Sequence, residues 1–251
     1  ECEKIKKQNK HCHIFKKTGL YLDSYFSATK IKWILKNVKN SKELLKKDLL
    51  LCGTIDTWIM WNLTNENNHL TDFTNACRTM LYNINTKSWD NSLLKLFSIP
   101  KRILPIVKNS MDDFGTLINT NIPINAVAGD QQSALFGNGC TKPNSSKCTY
   151  GTGLFFLYNT GEKRVDSKSK LLTTLAINNK GKPVYAIEGS IFIGGALIQW
   201  LRDELGLIKN AMDTEKIAKS IDDTNNVVIV PAFVGLGAPH WNSNCTGLIT
   251  G

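Results

Sequence analysis

Val127-Ala128-Gly129-Asp130-Gln131-Gln132-Ser133-Ala134-Leu135-Phe136-Gly137 runs from an apolar segment, through a glycine and a carboxylate, into residues that favour a helix. The run Ile124 to Ala128 is polar only at Asn125 and predicts a buried strand that ends at Gly129. Further on comes Thr149-Tyr150-Gly151-Thr152-Gly153, set between Cys148 and a second apolar run. A carboxylate at a strand end, followed by a small turn rich in backbone N–H groups, is a common way to assemble a phosphoryl-transfer site. Asp130 is then the candidate base for an acceptor hydroxyl. On position alone it reads equally well as an N-cap of the helix that follows. Gln131 offers both a donor and an acceptor to a hydroxyl-bearing substrate; a lone glutamine is also ordinary polar surface. Gly151-Thr152-Gly153 lets backbone approach a phosphate, with the Thr152 hydroxyl as a further donor, but tight turns use the same residues. Gly194-Gly195, with Gln199 one helical turn on, offers a helix N-terminus to an anion or nucleotide; close helix packing is the competing reading.

Composition sets the bounds. The 251 residues suffice for one large domain or two ordinary ones. Hydrophobic residues make up 42% and charged residues 21%, as in a globular protein with a sizeable core. The net charge of +10 permits nucleic-acid or other anionic partners. The lysines are spread out, however, apart from the pairs Lys6-Lys7, Lys16-Lys17 and Lys46-Lys47, and no basic-plus-aromatic module interleaves them. A solvated face is expected, and no nucleic-acid partner. Seven cysteines without C-x-x-C spacing read as reduced thiols of a cytoplasmic protein. No apolar run reaches about 18 residues, so no membrane span is expected, and no signal peptide opens the chain. His11-Cys12-His13 are adjacent, so their side chains diverge, and no metal ligand is assigned. The start at Glu1 and the end at Gly251, just after an apolar stretch, read as the middle of a longer protein. For that parent a homo-oligomer is compatible with everything above.

Periodicity and turn residues predict the elements around the opening stretch. Helices are expected over 25–38 (capped by Ser24 or Ser27), 41–51, 54–64, 89–97, 189–205 and 213–221. Strands are expected over 78–84, from Asp112 to Phe114 onward, over 154–159 and over 227–230. Segments 171–178 and 183–188 form a hairpin around Asn179-Lys180-Gly181. Residues 65–68 read as a polar loop and Thr71 to Ala76 as a turn. Mixed strands and helices of this kind predict α/β layers.

Taken in order, several stretches resemble the FGGY carbohydrate kinases. Tyr25-Phe26-Ser27-Ala28-Thr29-Lys30-Ile31-Lys32-Trp33 is similar to the family's first signature. Gly53-Thr54-Ile55-Asp56-Thr57-Trp58, Thr71-Asp72-Phe73-Thr74-Asn75-Ala76-Cys77-Arg78-Thr79, Gly129-Asp130-Gln131-Gln132, Thr149-Tyr150-Gly151-Thr152-Gly153, Leu171-Leu172-Thr173-Thr174 and Pro231-Ala232-Phe233-Val234-Gly235-Leu236-Gly237-Ala238-Pro239 follow in the family's order. The resemblance covers nearly the whole chain and is strongest to the members that act on glycerol.

It implies a ribonuclease-H-like, actin-like ATPase fold, with parts of two domains flanking a cleft. Residues 1–139 would be the C-terminal part of the N-terminal kinase domain, and 140–251 the N-terminal part of the C-terminal one. The implied reaction moves a phosphoryl group from ATP, with Mg²⁺, to glycerol, giving glycerol 3-phosphate. Asp130 would be the base, Tyr25 and Gln131 would hydrogen-bond glycerol, and Phe155 would wall its carbons. Thr152 would contact the nucleotide phosphates, with Gly195 and Gln199 beside the nucleotide. The family's N-terminal phosphate hairpin, its metal-associated Asp, its glycerol-gripping Arg-Glu pair and its C-terminal adenosine segment have no counterpart here. The 251 residues alone are therefore expected to be inactive. Competing readings are a family member acting on another polyol or sugar, and a non-enzymatic, basic, actin-like binding module.

Overall fold

The computed structural model describes residues 1–8, 10–64 and 67–251. Two short helices open it, α1 (Cys2–Lys7) and α2 (His11–Thr18). Gly19 ends α2 in the left-handed region at φ 71°. A Cβ there would stand 2.1 Å from the Thr173 carbonyl oxygen, so both the turn and the close approach require glycine.

Helix α3 (Ser27–Asn37) is shorter than expected, and neither serine caps it: Phe26 holds the cap position. It buries Ala28 and Thr29 and leaves Trp33 and Ile34 exposed. Helix α4 (Ser41–Lys46) also stops early, because Asp48 takes φ 54° and breaks the helical path. Ser41 donates to the Leu35 carbonyl and caps nothing. Helix α5 (Ile55–Leu63) falls where expected. Of the predicted loop 65–68, Asn65 and Glu66 lie outside the described residues.

The segment read as a turn at 71–76 is a strand end and a helical turn, β1 (Leu70–Asp72) and α6 (Phe73–Ala76). Asp72 is fully buried and caps α6, accepting from the N–H groups of Thr74 at 3.0 Å and Asn75 at 2.9 Å. The expected strand 78–84 contracts to β2 (Tyr82–Asn83), since Met80 sits at φ 62°. β2 pairs antiparallel with β3 (Ser88–Trp89). Helix α7 (Asn91–Phe97) follows, and β4 (Ile106–Lys108) pairs parallel with β1.

Neither strand expected between residues 112 and 128 forms. The Asp112 and Asp113 carboxylates take the N–H groups of Asp113 and Gly115, both at 2.8 Å, while the alternate N–H groups of Asp112 and Phe114 bond the Asn125 and Ile124 carbonyls at 3.2 and 2.9 Å. Residues 123–127 are held to residues 110–116 by the isolated bridges Met111 to Ala126 and Thr116 to Pro123 and by the Ile124 and Val127 N–H groups, which bond the Gly115 and Ser110 carbonyls, without a continuous strand. Within that run only Val127 is buried; Ala126 is exposed.

After α8 (Asp130–Gly137) comes an antiparallel sheet of β5 (Ser146–Tyr150), β6 (Leu154–Gly161), β7 (Leu172–Ile177) and β8 (Pro183–Ile191), in the order β5-β6-β8-β7. The predicted hairpin joins β7 to β8. Helix α9 (Gly195–Asp203) begins later than expected because Gly189 to Ile191 continue β8. Helix α10 (Asp213–Ala218) and the antiparallel pair β9 (Val228–Val230) and β10 (Leu248–Thr250) complete the chain.

β7 is buried throughout because both its faces are covered. Leu175 and Ile177 pack with Phe73, Tyr82 and Ile84. Ala176 packs with Leu135 of α8 and Leu157 of β6. A third cluster, with Ile14, Phe26, Leu81 and Phe97, reaches Leu172. β7 therefore packs against both α8 and the earlier segments, and these contacts hold α8 in place.

Asp90 caps α7 and takes the Lys17 ammonium at 2.7 and 2.8 Å. Burial alone would push its carboxyl up, but hydrogen bonds from Lys17, Ser92, Asn83 and the Leu93 N–H outweigh it and hold the group well below the usual carboxylate range. A depressed carboxyl stabilises the fold fully above about pH 4 and ceases to as pH falls through its folded-state value. Asp90→Asn keeps a capping oxygen but loses the charge. It is expected to cost about 1.5–3 kcal/mol at neutral pH. Thermal melts from neutral to strongly acid pH should show the gap between the two proteins closing as pH falls; a gap independent of pH would contradict the assignment.

Candidate active site

The position of Asp130 is fixed from behind. Gly129 is the N-cap of α8, and its N–H donates to Thr74 Oγ1 at 2.8 Å. The Thr74 hydroxyl in turn donates to the buried Asp72 carboxylate at 2.7 Å. This chain of bonds pins the helix start to α6. Asp130 is thus the first helical residue and no cap: its side chain receives no backbone N–H of the helix, which removes the capping reading. It is exposed, and its carboxylate accepts from Gln131 Nε2 at 3.0 Å. The helix dipole favours negative charge at this end.

Asp130 opens onto a cleft of about 750 Å³. Tyr25, Gln131 and Phe155 line the same cleft. Tyr25 comes from the loop before α3, held by its N–H to Asp23 Oδ1 at 2.8 Å. Its ring stacks on Phe192 with centroids 5.7 Å apart and meets Phe26 edge-on at 5.2 Å. Phe155 stands on β6, between Thr149 of β5 and Ser190 of β8. A carboxylate, an amide and two aromatic rings around one cavity suit a small molecule with several hydroxyls: the polar groups take the O–H bonds and the rings cover the C–H face.

Sequence reasoning missed the cleft's ion pair. Arg78 donates to both oxygens of Glu188, at 2.8 and 2.9 Å, and lies 5.5 Å over the Phe26 ring. Ser190 Oγ donates to Glu188 Oε1 at 2.9 Å. Along β8 the inward positions are Val184, Ala186, Glu188 and Ser190, so a charge on the buried face of an alternating strand was the available signal. Asp56 also lines the cleft; burial pushes its carboxyl up, against hydrogen bonds from Thr54 and Thr71.

Thr152 lines an adjoining cavity of about 430 Å³, and Tyr25 and Phe155 line both cavities. Gly195 and Gln199 line neither. The amides at the start of α9 are engaged by the hairpin turn: Gly194 N–H bonds Thr152 O at 2.8 Å, Gly195 N–H bonds Gly151 O at 2.8 Å, and Ala196 N–H bonds Thr152 O at 3.2 Å. A Cβ on Gly195 would stand 2.8 Å from the Gly151 oxygen. The glycine pair thus brings helix and turn into contact, and these amides are not open to an anion.

Among the described residues no group of three or more His, Cys, Asp or Glu is placed to hold a metal ion. His13 Nε2 meets Ser92 Oγ at 2.9 Å. All seven cysteines are free thiols, and no described helix is long and apolar enough to cross a membrane.

Residues 1–137 match the N-terminal domain of the FGGY family of carbohydrate kinases, and residues 146–251 match its C-terminal domain. The chain is 55% identical over 254 residues to a glycerol kinase of Clostridium botulinum, covering 100% of this chain and 51% of that protein. It is 54% identical to a glycerol kinase of Shewanella frigidimarina, with the same coverage. The chain therefore spans about half the length of the curated relatives it matches. Among solved structures, Plasmodium falciparum glycerol kinase with ADP superposes with a TM-score of 0.84 at 39% identity, over 100% of this chain and 52% of that one. Xylulose kinase from Lactobacillus acidophilus superposes at 0.81 with 20% identity, covering 100% of this chain and 51% of that one, which establishes the shared fold. That fold is the actin-like ATPase fold expected from the sequence. By two family matches that together span most of its residues, the chain belongs to the FGGY family of carbohydrate kinases.

Proposed function

We propose that the complete protein carrying this chain transfers the γ-phosphoryl group of ATP to glycerol, giving glycerol 3-phosphate and ADP. The observation that carries the reading is the convergence of Tyr25, Asp130, Gln131 and Phe155 on one cleft. The 55% identity to curated glycerol kinases supports it. In this reading Asp130 takes the proton of the attacking hydroxyl as that oxygen bonds to the γ-phosphorus and the bond to the departing ADP oxygen breaks. Gln131 and the Tyr25 hydroxyl hold glycerol, and the Phe155 ring faces its carbons. The turn at Thr152, in the adjoining cavity, faces the phosphates, with Gly195 bonded to that turn and Gln199 further along α9 beside the nucleotide. Mg²⁺ enters only as the companion of the ATP phosphates; the described residues offer no ligand cluster that fits it, and none is assigned.

The same reading divides the chain near residue 140 into parts of two kinase domains, in keeping with matches over 1–137 and 146–251. It also places the enzyme in the cytoplasm, where ATP and free thiols coexist. The test is a substrate panel with the full-length enzyme and ATP. Glycerol should exceed xylulose and gluconate in kcat/KM by at least about 10²-fold, since a site built to bond one set of hydroxyls rejects those that leave its groups unpaired. A preference for either of the larger substrates would overturn the choice of glycerol.

A further inference from the structure

Lys147 lies at an inward position of β5, where only 8% of its surface is exposed. Lysine is seldom buried to that extent without partners. Its ammonium donates to Gln131 Oε1, to Thr149 Oγ1 at 2.7 Å, and at 3.5 Å toward the Phe155 carbonyl. An ammonium has three donors and no acceptor. The Gln131 amide must therefore turn its oxygen to Lys147. Its nitrogen then faces Asp130, and Nε2 donates to Oδ2 at 3.0 Å. With the amide reversed, its NH₂ would oppose the ammonium and its oxygen would oppose the carboxylate. Lys147 thus removes one of the two orientations open to Gln131.

The geometry points to Lys147 as a positioning residue for phosphoryl transfer: through Gln131 it holds the Asp130 carboxylate and the remaining N–H of the amide in the arrangement the acceptor hydroxyl needs. This rests on Asp130 being the base. Burial pulls the Lys147 ammonium below the ordinary lysine range, and the nearby charges of Glu188 on β8, Asp130 on α8, and Cys148 and Cys140 only partly oppose that. Glu188 is itself paired with Arg78. Once Lys147 loses its proton, its amine can accept as well as donate, and the amide is no longer held one way. The alkaline fall of kcat should therefore begin at lower pH than an ordinary lysine would give.

The test is a pH profile of kcat for the full-length enzyme, its Lys147→Met, Lys147→Arg and Gln131→Leu variants, and the Met/Leu double variant. Lys147→Met should lower kcat roughly 10- to 100-fold, as a misplaced base does. In the Gln131→Leu background the same change should add less than about twofold, because the two act as a unit. Lys147→Arg should recover part of kcat and move the alkaline limb to higher pH; it carries the test by that limb alone if the Met variant does not fold. An undiminished Lys147→Met effect beside Gln131→Leu, an unchanged kcat in Lys147→Met, or an alkaline limb unmoved by Lys147→Arg would overturn the proposal. Asp130→Asn, run alongside, separates the failures. If it retains turnover, the base assignment falls and this inference with it. If it is inactive and the cycle is additive, only the role of Lys147 falls.

Discussion

Asp130→Asn in the full-length enzyme is expected to lose about 10²- to 10⁴-fold in kcat while binding ATP and ADP within about twofold of the parent. The substitution is nearly isosteric and leaves the helix start untouched, because Gly129, Thr74 and Asp72 fix α8 without the Asp130 side chain. What it removes is the only carboxylate in the cleft that is exposed and free of cationic partners in hydrogen-bond reach among the described residues: Glu188 is engaged by Arg78, and Asp56 is buried beneath Thr54 and Thr71. Steady-state kinetics and calorimetric titration with ADP check both halves. A variant within about threefold of the parent in kcat would take Asp130 out of the chemistry.

The largest loss of stability is expected from Arg78→Met. Glu188 is 1% exposed, and Arg78 is its cationic partner, bonded through both carboxylate oxygens. Removing the guanidinium strands a buried carboxylate, at a cost of about 3–5 kcal/mol. Replacing both residues, Arg78→Met with Glu188→Leu, should recover most of that, since no unpaired charge then remains. The pair joins the segment matched to the N-terminal family domain to the one matched to the C-terminal domain, so the single variant should also loosen the floor of the cleft. Denaturant melts of the single and double variants decide the matter. A single-variant loss below about 1 kcal/mol, the range of an exposed pair, would show that the ions are solvated.

Local signals were legible where one short-range force governs. Asn179-Lys180-Gly181 marked the β7–β8 hairpin because the turn geometry is set within a few residues. The apolar spacing of 55–63 marked a helix for the same reason. The reading failed where partners distant in sequence decide. Residues 124–128 have the composition of a strand, but their pairing with residues 110–115 is broken into single backbone bonds and isolated bridges, so no continuous strand forms. Gly189 to Ile191 have helix-compatible neighbours but are claimed by pairing with β6. At the site, Asp130 and Gln131 could be singled out because a strand-like run, a glycine and a carboxylate adjoin in sequence. Arg78 and Glu188 could not be joined, being 110 residues apart. Lys147 and Gln131 meet only because α8 lies against β5. Composition also left open whether Gly194-Gly195 faced a ligand or served close packing of the helix, and the bonds from their N–H groups to Thr152 and Gly151 show the close packing, here against a turn.

The central claim is that this cleft holds the acceptor alcohol against Asp130. A crystal structure of the full-length enzyme with glycerol and a non-hydrolysable ATP analogue tests it most directly. The account predicts a glycerol hydroxyl oxygen about 2.6–3.2 Å from an Asp130 carboxylate oxygen, with Gln131 and Tyr25 on the neighbouring hydroxyls and the Phe155 ring against the carbons. Glycerol bound away from this cleft, or bound in it with every hydroxyl out of reach of Asp130, would contradict it.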